Sequence, residues 1–431
     1  SGDSAEVEGA LVHRPVLDVP AYAPLRAAWR EVQSDLARQA WDAAAGRLDH
    51  LRKIRIDLGL PNVFPFSTVL LHGARAASEA GSEDAAVDLA ATAAMLSPDM
   101  AAPHFEQARF TFEARPFELS TQIKHLRNGF ERVSRDLPAA MAAIGNAISA
   151  AIYCLFVALV LFGLAMLSRY QRLAANDLRR FLPRGVTLVQ AQVLLLTLVV
   201  APFFVGLGLI ATAAVWLVAT AFYQRVTERI VSILLLCAVG VLPVATGYVV
   251  RALDFPVSTE ATLYRCTTSL CSDADMERVR DWANTNVMSR QSNFTMGLVL
   301  RRNATSTGES YTPSRRYAAV ANDERETAES LTLIANIEYL AALRDCPRHA
   351  GDSGGALAEW EKGVRTALTF WDRALETNPR YVPALYNSSI VLRQLGDHDG
   401  AGPRMEKALS QDHDRVMYWN KEVSEEQTLA R

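Results

Sequence analysis

Residues 139–251 hold the feature that most limits what this chain can become: apolar runs too long and too free of charge for the core of an ordinary soluble domain. Residues 149–167 carry no charge, a length that crosses a hydrocarbon core of about 30 Å as a helix. Residues 188–223 are uncharged for 36 residues, and as one helix they would run roughly 54 Å. Pro202, Gly206 and Gly208 supply a break there, because proline removes a donor and glycine frees the backbone. The expectation is four spans, near 149–167, 188–205, 208–223 and 230–250. Trp216, Phe222, Tyr223 and Tyr248 sit near span ends, as an interfacial aromatic belt would.

Charge sets the expected orientation. The loop 168–187 carries Arg169, Arg172, Arg179, Arg180 and Arg184 against Asp177, and the loop 224–229 carries Arg225 and Arg229 against Glu228. With four spans both loops fall on one side, and the positive-inside rule makes that side cytoplasmic. Both flanking segments then face outward. The Ala- and Arg-rich composition points to a bacterium, hence to an inner membrane with periplasmic flanks. A three-span arrangement ranks second, because it separates the two Arg loops. The spans contain no Asp, Glu, Lys, Arg or His, which argues against ion pathways and proton relays. Gln190 and Gln192 lie near an interface, where polarity costs little.

Before the membrane region, apolar residues recur at helical spacing. Helices are expected near 24–38, 41–57, 66–80, 83–96, 102–114 and 117–134, broken by Gly59-Leu60-Pro61, Gly81-Ser82, Ser97-Pro98-Asp99 and Arg115-Pro116. Six short helices in pairs prompt a search for a period. Ala74 holds a small-residue position on one helix, Gly81 the turn, Ala86 and Ala93 small positions on the next, and Pro98 the terminator. Ala108 continues the register, and Trp29, Trp41, Ala44 and Leu48 fit an earlier, degenerate copy. Toward the C-terminus, Leu331, Ala335, Asn336 and Tyr339 pair with Ala367, Trp371, Ala374 and Pro379. Leu385, Ser389, Gly396, Ala401 and Ala408 make the next copy, where His413 stands at the terminator.

These residues resemble the 34-residue tetratricopeptide repeat. The resemblance covers about half of the chain and implies an all-α fold, with helical hairpins flanking a four-helix transmembrane region. The expected organisation is an extension at 1–22, repeat domains at 23–136 and 326–415, the membrane region between them, and a tail at 416–431. Such repeats offer a concave groove to partner proteins. The resemblance therefore implies partner contacts at Leu70, Ala77, His104, Asn336, Asn387 and Arg393.

Residues 252–325 are expected to be an irregular excursion or linker, with a short helix near 273–286. Cys266 and Cys271 are candidates for a local disulfide in an oxidising compartment, and Cys346 is an alternative partner for either. No Cys-x-x-Cys pair occurs, so metal-ribbon and thioredoxin-type sites are absent. Gly351-Asp352-Ser353-Gly354-Gly355 matches a serine-protease signature, but that chemistry needs a β-barrel and a partnered His. Here the motif lies between two helices. His398 and His413 each sit between aspartates, with no third ligand at a metal-site spacing.

A net charge of -3 without a basic cluster gives no nucleic-acid footprint. No cofactor and no catalytic residue are expected. The sequence reads as a membrane-anchored scaffold or assembly subunit of an envelope complex, with the lipid bilayer and other envelope proteins as partners. A chaperone-like factor is the second reading, and a membrane-embedded enzyme or transporter subunit the third.

Overall fold

A computed structural model describes residues 22–58, 60–183, 185–206, 208–345, 354–413 and 416–417. Among the described residues all regular structure is helical. The chain divides into two units: Ser1–Ala139 with Val257–Arg431, and Ala140–Pro256.

The first unit begins with α1 (Ala23–Ala37), α2 (Trp41–Asp57), α3 (Phe64–Glu79), α4 (Glu83–Leu96), α5 (Ala102–Ala114) and α6 (Leu119–Val133). Pro24, Pro65 and Pro103 open α1, α3 and α5 in the first turn, where a missing N–H costs nothing. Gly81 turns α3 into α4 with φ of 79°, a left-handed conformation that suits glycine. Consecutive helices pack as hairpins. Ala74, Ala77, Ala86, Ala90 and Ala93 are fully buried where α3 meets α4, so their small side chains set the close approach. Trp29 stacks on Phe66 at 4.3 Å between centroids. The helices lie within about two residues of the positions the periodicity predicts.

Residues 252–325 differ from expectation. Most of that stretch is helical: α11 (Thr259–Thr268), α12 (Asp273–Asn284), α13 (Ser289–Thr307) and α14 (Thr312–Glu324). These helices satisfy their polar side chains internally. Asn293 Nδ2 donates to the Ser289 carbonyl at 2.8 Å, and Thr305 and Thr307 hydroxyls donate one turn back at 2.9 Å. The Ser/Thr/Asn-rich run is therefore helix surface and polar core, not a linker. The unit closes with α15 (Ala328–Asp345), α16 (Gly354–Thr377), α17 (Val382–Gln394) and α18 (His398–Gln411). Trp371, Ala367, Ala374 and Leu331 are buried between them. Gly396, at φ 83°, makes the same left-handed turn between α17 and α18 that Gly81 makes between α3 and α4.

The second unit comprises most of α7 (Leu137–Phe181), then α8 (Leu188–Phe204), α9 (Gly208–Thr220) and most of α10 (Val226–Asp254). Among the described residues two helices, not four, are long and apolar enough to cross a membrane: Leu137–Phe181 and Val226–Val257, with mean hydropathies of 2.6 and 2.4 in their most apolar windows. Only 17% and 6% of those windows are buried, so the apolar side chains face outward, opposite to a soluble core helix. The four-span expectation is corrected here. Helices α8 and α9 have 17 and 13 residues, about 26 and 20 Å, short of the hydrocarbon thickness. The cause is local: Pro202 lies within the last turn of α8, and just beyond its end Gly206 and Gly208 adopt φ of 86° and 71°.

Helices α7 and α10 run antiparallel. A Cβ added at Gly145 would stand 2.9 Å from that of Ala252. At the other end Arg169 pairs with Glu228 at 2.6 Å, and the Tyr170 hydroxyl also donates to Glu228. The two Arg-bearing ends therefore meet. Trp216 is a packing residue, not part of a belt: it is buried, and its indole N–H donates to the Val199 carbonyl at 2.8 Å. Phe222 and Tyr248 are exposed. Gln190 caps α8 reciprocally with Thr187.

Candidate functional site

The site is built where the N-terminal and C-terminal flanks of the first unit meet. Helix α11 ends at Thr268, and its last carbonyls need partners. Arg302, buried on α13, donates to the Cys266 carbonyl at 3.0 Å and to the Thr267 carbonyl at 2.6 Å. The Thr268 carbonyl accepts the Asn62 backbone N–H at 3.1 Å. The Ser269 hydroxyl accepts the Phe64 N–H at 3.2 Å. Thus the segment joining α2 to α3 docks on the end of a helix some 200 residues later. Leu270 enters the core formed by Leu25, Trp29 and Phe66.

Tyr264 holds a second point of the same seam. Its ring stacks near Phe64 at 6.2 Å, and its hydroxyl donates to the Arg135 carbonyl at 3.0 Å. Burial pushes the Tyr264 phenol up to about 12, so it stays a donor at neutral pH. Asp136 accepts from the Ala101 N–H at 3.1 Å and the Ala139 N–H at 3.2 Å, tying the start of α5 to the start of α7. Arg135 faces Asp412 at 3.7 Å.

Tyr264 also borders a cleft of about 320 Å³ between α11, α13 and the start of α15. Leu263, Met288 and Phe294 give it an apolar floor, and Glu260, Arg290 and Glu329 lie at its margin. An apolar hollow with a few polar groups at its edge has the usual make-up of a binding pocket.

Cys266 and Cys271 are bonded to each other, closing the turn from α11 to α12. Ser272 then caps α12 by accepting the Asp275 N–H at 3.1 Å. Cys346, Gly351, Asp352, Ser353 and the residues after 417 lie outside the described residues, as does the Trp41 side chain. His398 is exposed beside Asp397, whose carboxylate caps α18. His413 is exposed, and Asp414 lies outside the described residues. Among the described residues no group of three or more His, Cys, Asp or Glu side chains converges.

The six residues expected to face a partner do not share one surface. Leu70 and Ala77 are fully buried between α3 and its neighbours. Asn336 and Asn387 are buried and bonded to each other, Nδ2 to Oδ1 at 2.9 Å, where α15 meets α17. These four are corrected from groove to core: each is covered by packed neighbouring helices. His104 is half-buried on α5, and Arg393 is exposed on α17 near Tyr386, whose phenol burial pushes up to about 12. The seam residues Asn62, Tyr264, Ser269 and Arg302 escaped the sequence reading. The nearest advance signal was the Gly59-Leu60-Pro61 break, just before Asn62.

No family model matches the chain, and no curated protein matches it. Among solved structures it aligns with the crystal structure of the yeast Tom70, at 10% identity and a TM-score of 0.24. That alignment covers 92% of this chain and 63% of the Tom70 chain, so this chain spans less than two thirds of that one. A score of that size carries no argument about fold. The repeat character rests on this chain's own hairpins and on the equivalent turns at Gly81 and Gly396.

Proposed function

We propose that the chain is a membrane-anchored scaffold whose helical-hairpin unit binds other proteins. The observation that carries this reading is the insertion of an outward-facing apolar unit, Ala140–Pro256, into one helical unit made from both flanks. Residues bonded across the seam must lie on the same side of a bilayer, which requires an even number of crossings. Helices α7 and α10 supply two, and α8 with α9 forms a short hairpin that enters and returns on one side. Both Arg-bearing ends then share a side, which the positive-inside rule makes cytoplasmic. The helical unit faces the periplasm of a bacterial inner membrane, an oxidising compartment that suits the Cys266–Cys271 bond. The apolar cleft beside Tyr264 takes a side chain of the bound partner.

The test is purification of the chain from native membranes in mild detergent, with co-eluting proteins identified and counted. Partners at a fixed ratio are expected, with a loss of partner for Phe294→Ala in the cleft floor. Release of the chain by a carbonate wash sinks the anchor. Elution alone sinks the permanent scaffold. Sub-stoichiometric, mixed co-elution points to a chaperone that holds clients on the same surface.

A further inference from the structure

Helix α6 is amphipathic the wrong way round for a protein in water. Leu119, Ile123, Leu126 and Phe130 fall on one stripe at spacings of four, three and four. Leu119, Ile123 and Phe130 are 59%, 62% and 69% exposed, and Phe117 just before them is 96% exposed. The face turned into the protein is instead polar or small. Gln122 is buried there and donates to the Arg115 carbonyl at 3.0 Å, and Gly129 lies against the Phe105 ring. A helix that ends a hairpin array normally shows water a polar outer face. Here the outer face is the apolar one, so it has an occupant other than water.

Chain continuity identifies that occupant. Three residues, 134–136, separate α6 from α7, a link of at most about 10 Å. No charged residue occurs from Leu137 through Ser168, so the uncharged run begins as soon as that link ends. Lys124 and Arg127 are exposed at the polar edge of the stripe, and basic side chains flanking an apolar face are the pattern of helices that lie in a lipid interface. We infer that α6 is an in-plane membrane helix, its Leu119–Phe130 stripe sunk at the boundary between headgroups and acyl chains. The inference rests on the reading of α7 as a span.

The experiment keeps the two separate. Single cysteines replace Ile123, Phe130, Lys124 or Val157 in the full chain with its native Cys154, Cys237 and Cys346 changed to Ala. Each carries an environment-sensitive fluorophore in vesicles of mixed neutral and anionic phospholipid. Quenching is read from nitroxide attached to lipid and from iodide on both sides. Probes at 123 and 130 should be quenched by lipid nitroxide, as at 157, and should lose the iodide quenching seen at 124. Lipid quenching at 157 with free iodide access at 123 and 130 overturns the inference alone. Shielding of 123 and 130 from both quenchers, growing with protein density, assigns the stripe to a second copy and overturns it too. Absence of lipid quenching at 157 removes the span and the inference together.

Discussion

At the scale of single residues, two histidines make the first unit sensitive to acid. His104 is held below its usual range chiefly by burial, with the Arg132 guanidinium adding to the effect and Gln107 opposing it. His125 shifts the same way, through burial and Lys124. The imidazole Nδ1 of each is buried without a hydrogen-bond partner. The folded chain therefore refuses a proton that the unfolded chain accepts near the ordinary value of about 6.5. Their contribution is fully present above that value and is lost as pH falls through it toward the lowered folded value. Asp136 has the opposite sign: burial raises its carboxyl, so folding favours its protonated form at lower pH. Urea midpoints of the detergent-solubilised chain should fall between pH 7.5 and 5.5. The double variant His104→Gln, His125→Gln should flatten that slope, and an unchanged slope would assign it elsewhere.

At the scale of elements, glycine chemistry predicts opposite outcomes in two helices. A Cβ at Gly363 would stand 2.6 Å from that of Ala342, so α15 and α16 approach there without room for a methyl group. Gly363→Ala should destabilise by about 1–3 kcal/mol through overpacking, despite the better helix propensity of alanine. Gly46 on α2 has open space where its Cβ would lie, so Gly46→Ala should stabilise by up to about 1 kcal/mol. Thermal unfolding of the two variants side by side checks both signs. The hairpins were legible in the sequence because Gly81, Pro98 and Gly396 punctuate periodic apolar runs. Helix α12 was also expected near its place, but α11, α13 and α14 were not: on α13, Ser292, Asn293 and Arg302 are buried polar residues that bond to backbone and interrupt the apolar period. Register also failed to tell an open face from one covered by a neighbouring helix, which is why Leu70 and Asn387 were misplaced. The stripe on α6 was readable as a pattern, but a pattern alone does not say whether protein or lipid covers it.

At the scale of the whole molecule, on the proposed reading of α7 and α10 as spans, the seam between the flanks requires an even number of bilayer crossings. The two Arg loops were readable from sequence, and they already favoured an even number. The lengths of α8 and α9 were not, since they follow from the backbone turn at Gly206 and Gly208. Cysteines at Glu83 and Lys407, one on each flank and both exposed, should react together with a membrane-impermeant maleimide from the same side of intact cells. Labelling of one without the other would require an odd number of crossings and would break the seam.

The same seam ties completion of the fold to the order of synthesis. Phe64 waits for Ser269, and the core around Trp29 waits for Leu270. At a translation rate of roughly 5–20 residues per second, that interval is on the order of ten seconds or more. For that time the early half of the unit stands with a hollow where Leu270 belongs. It finishes only after the last apolar helix has been made. If α7 and α10 span a bilayer as proposed, closure of the unit records that both were inserted, and a chain stalled partway keeps an open, apolar seam.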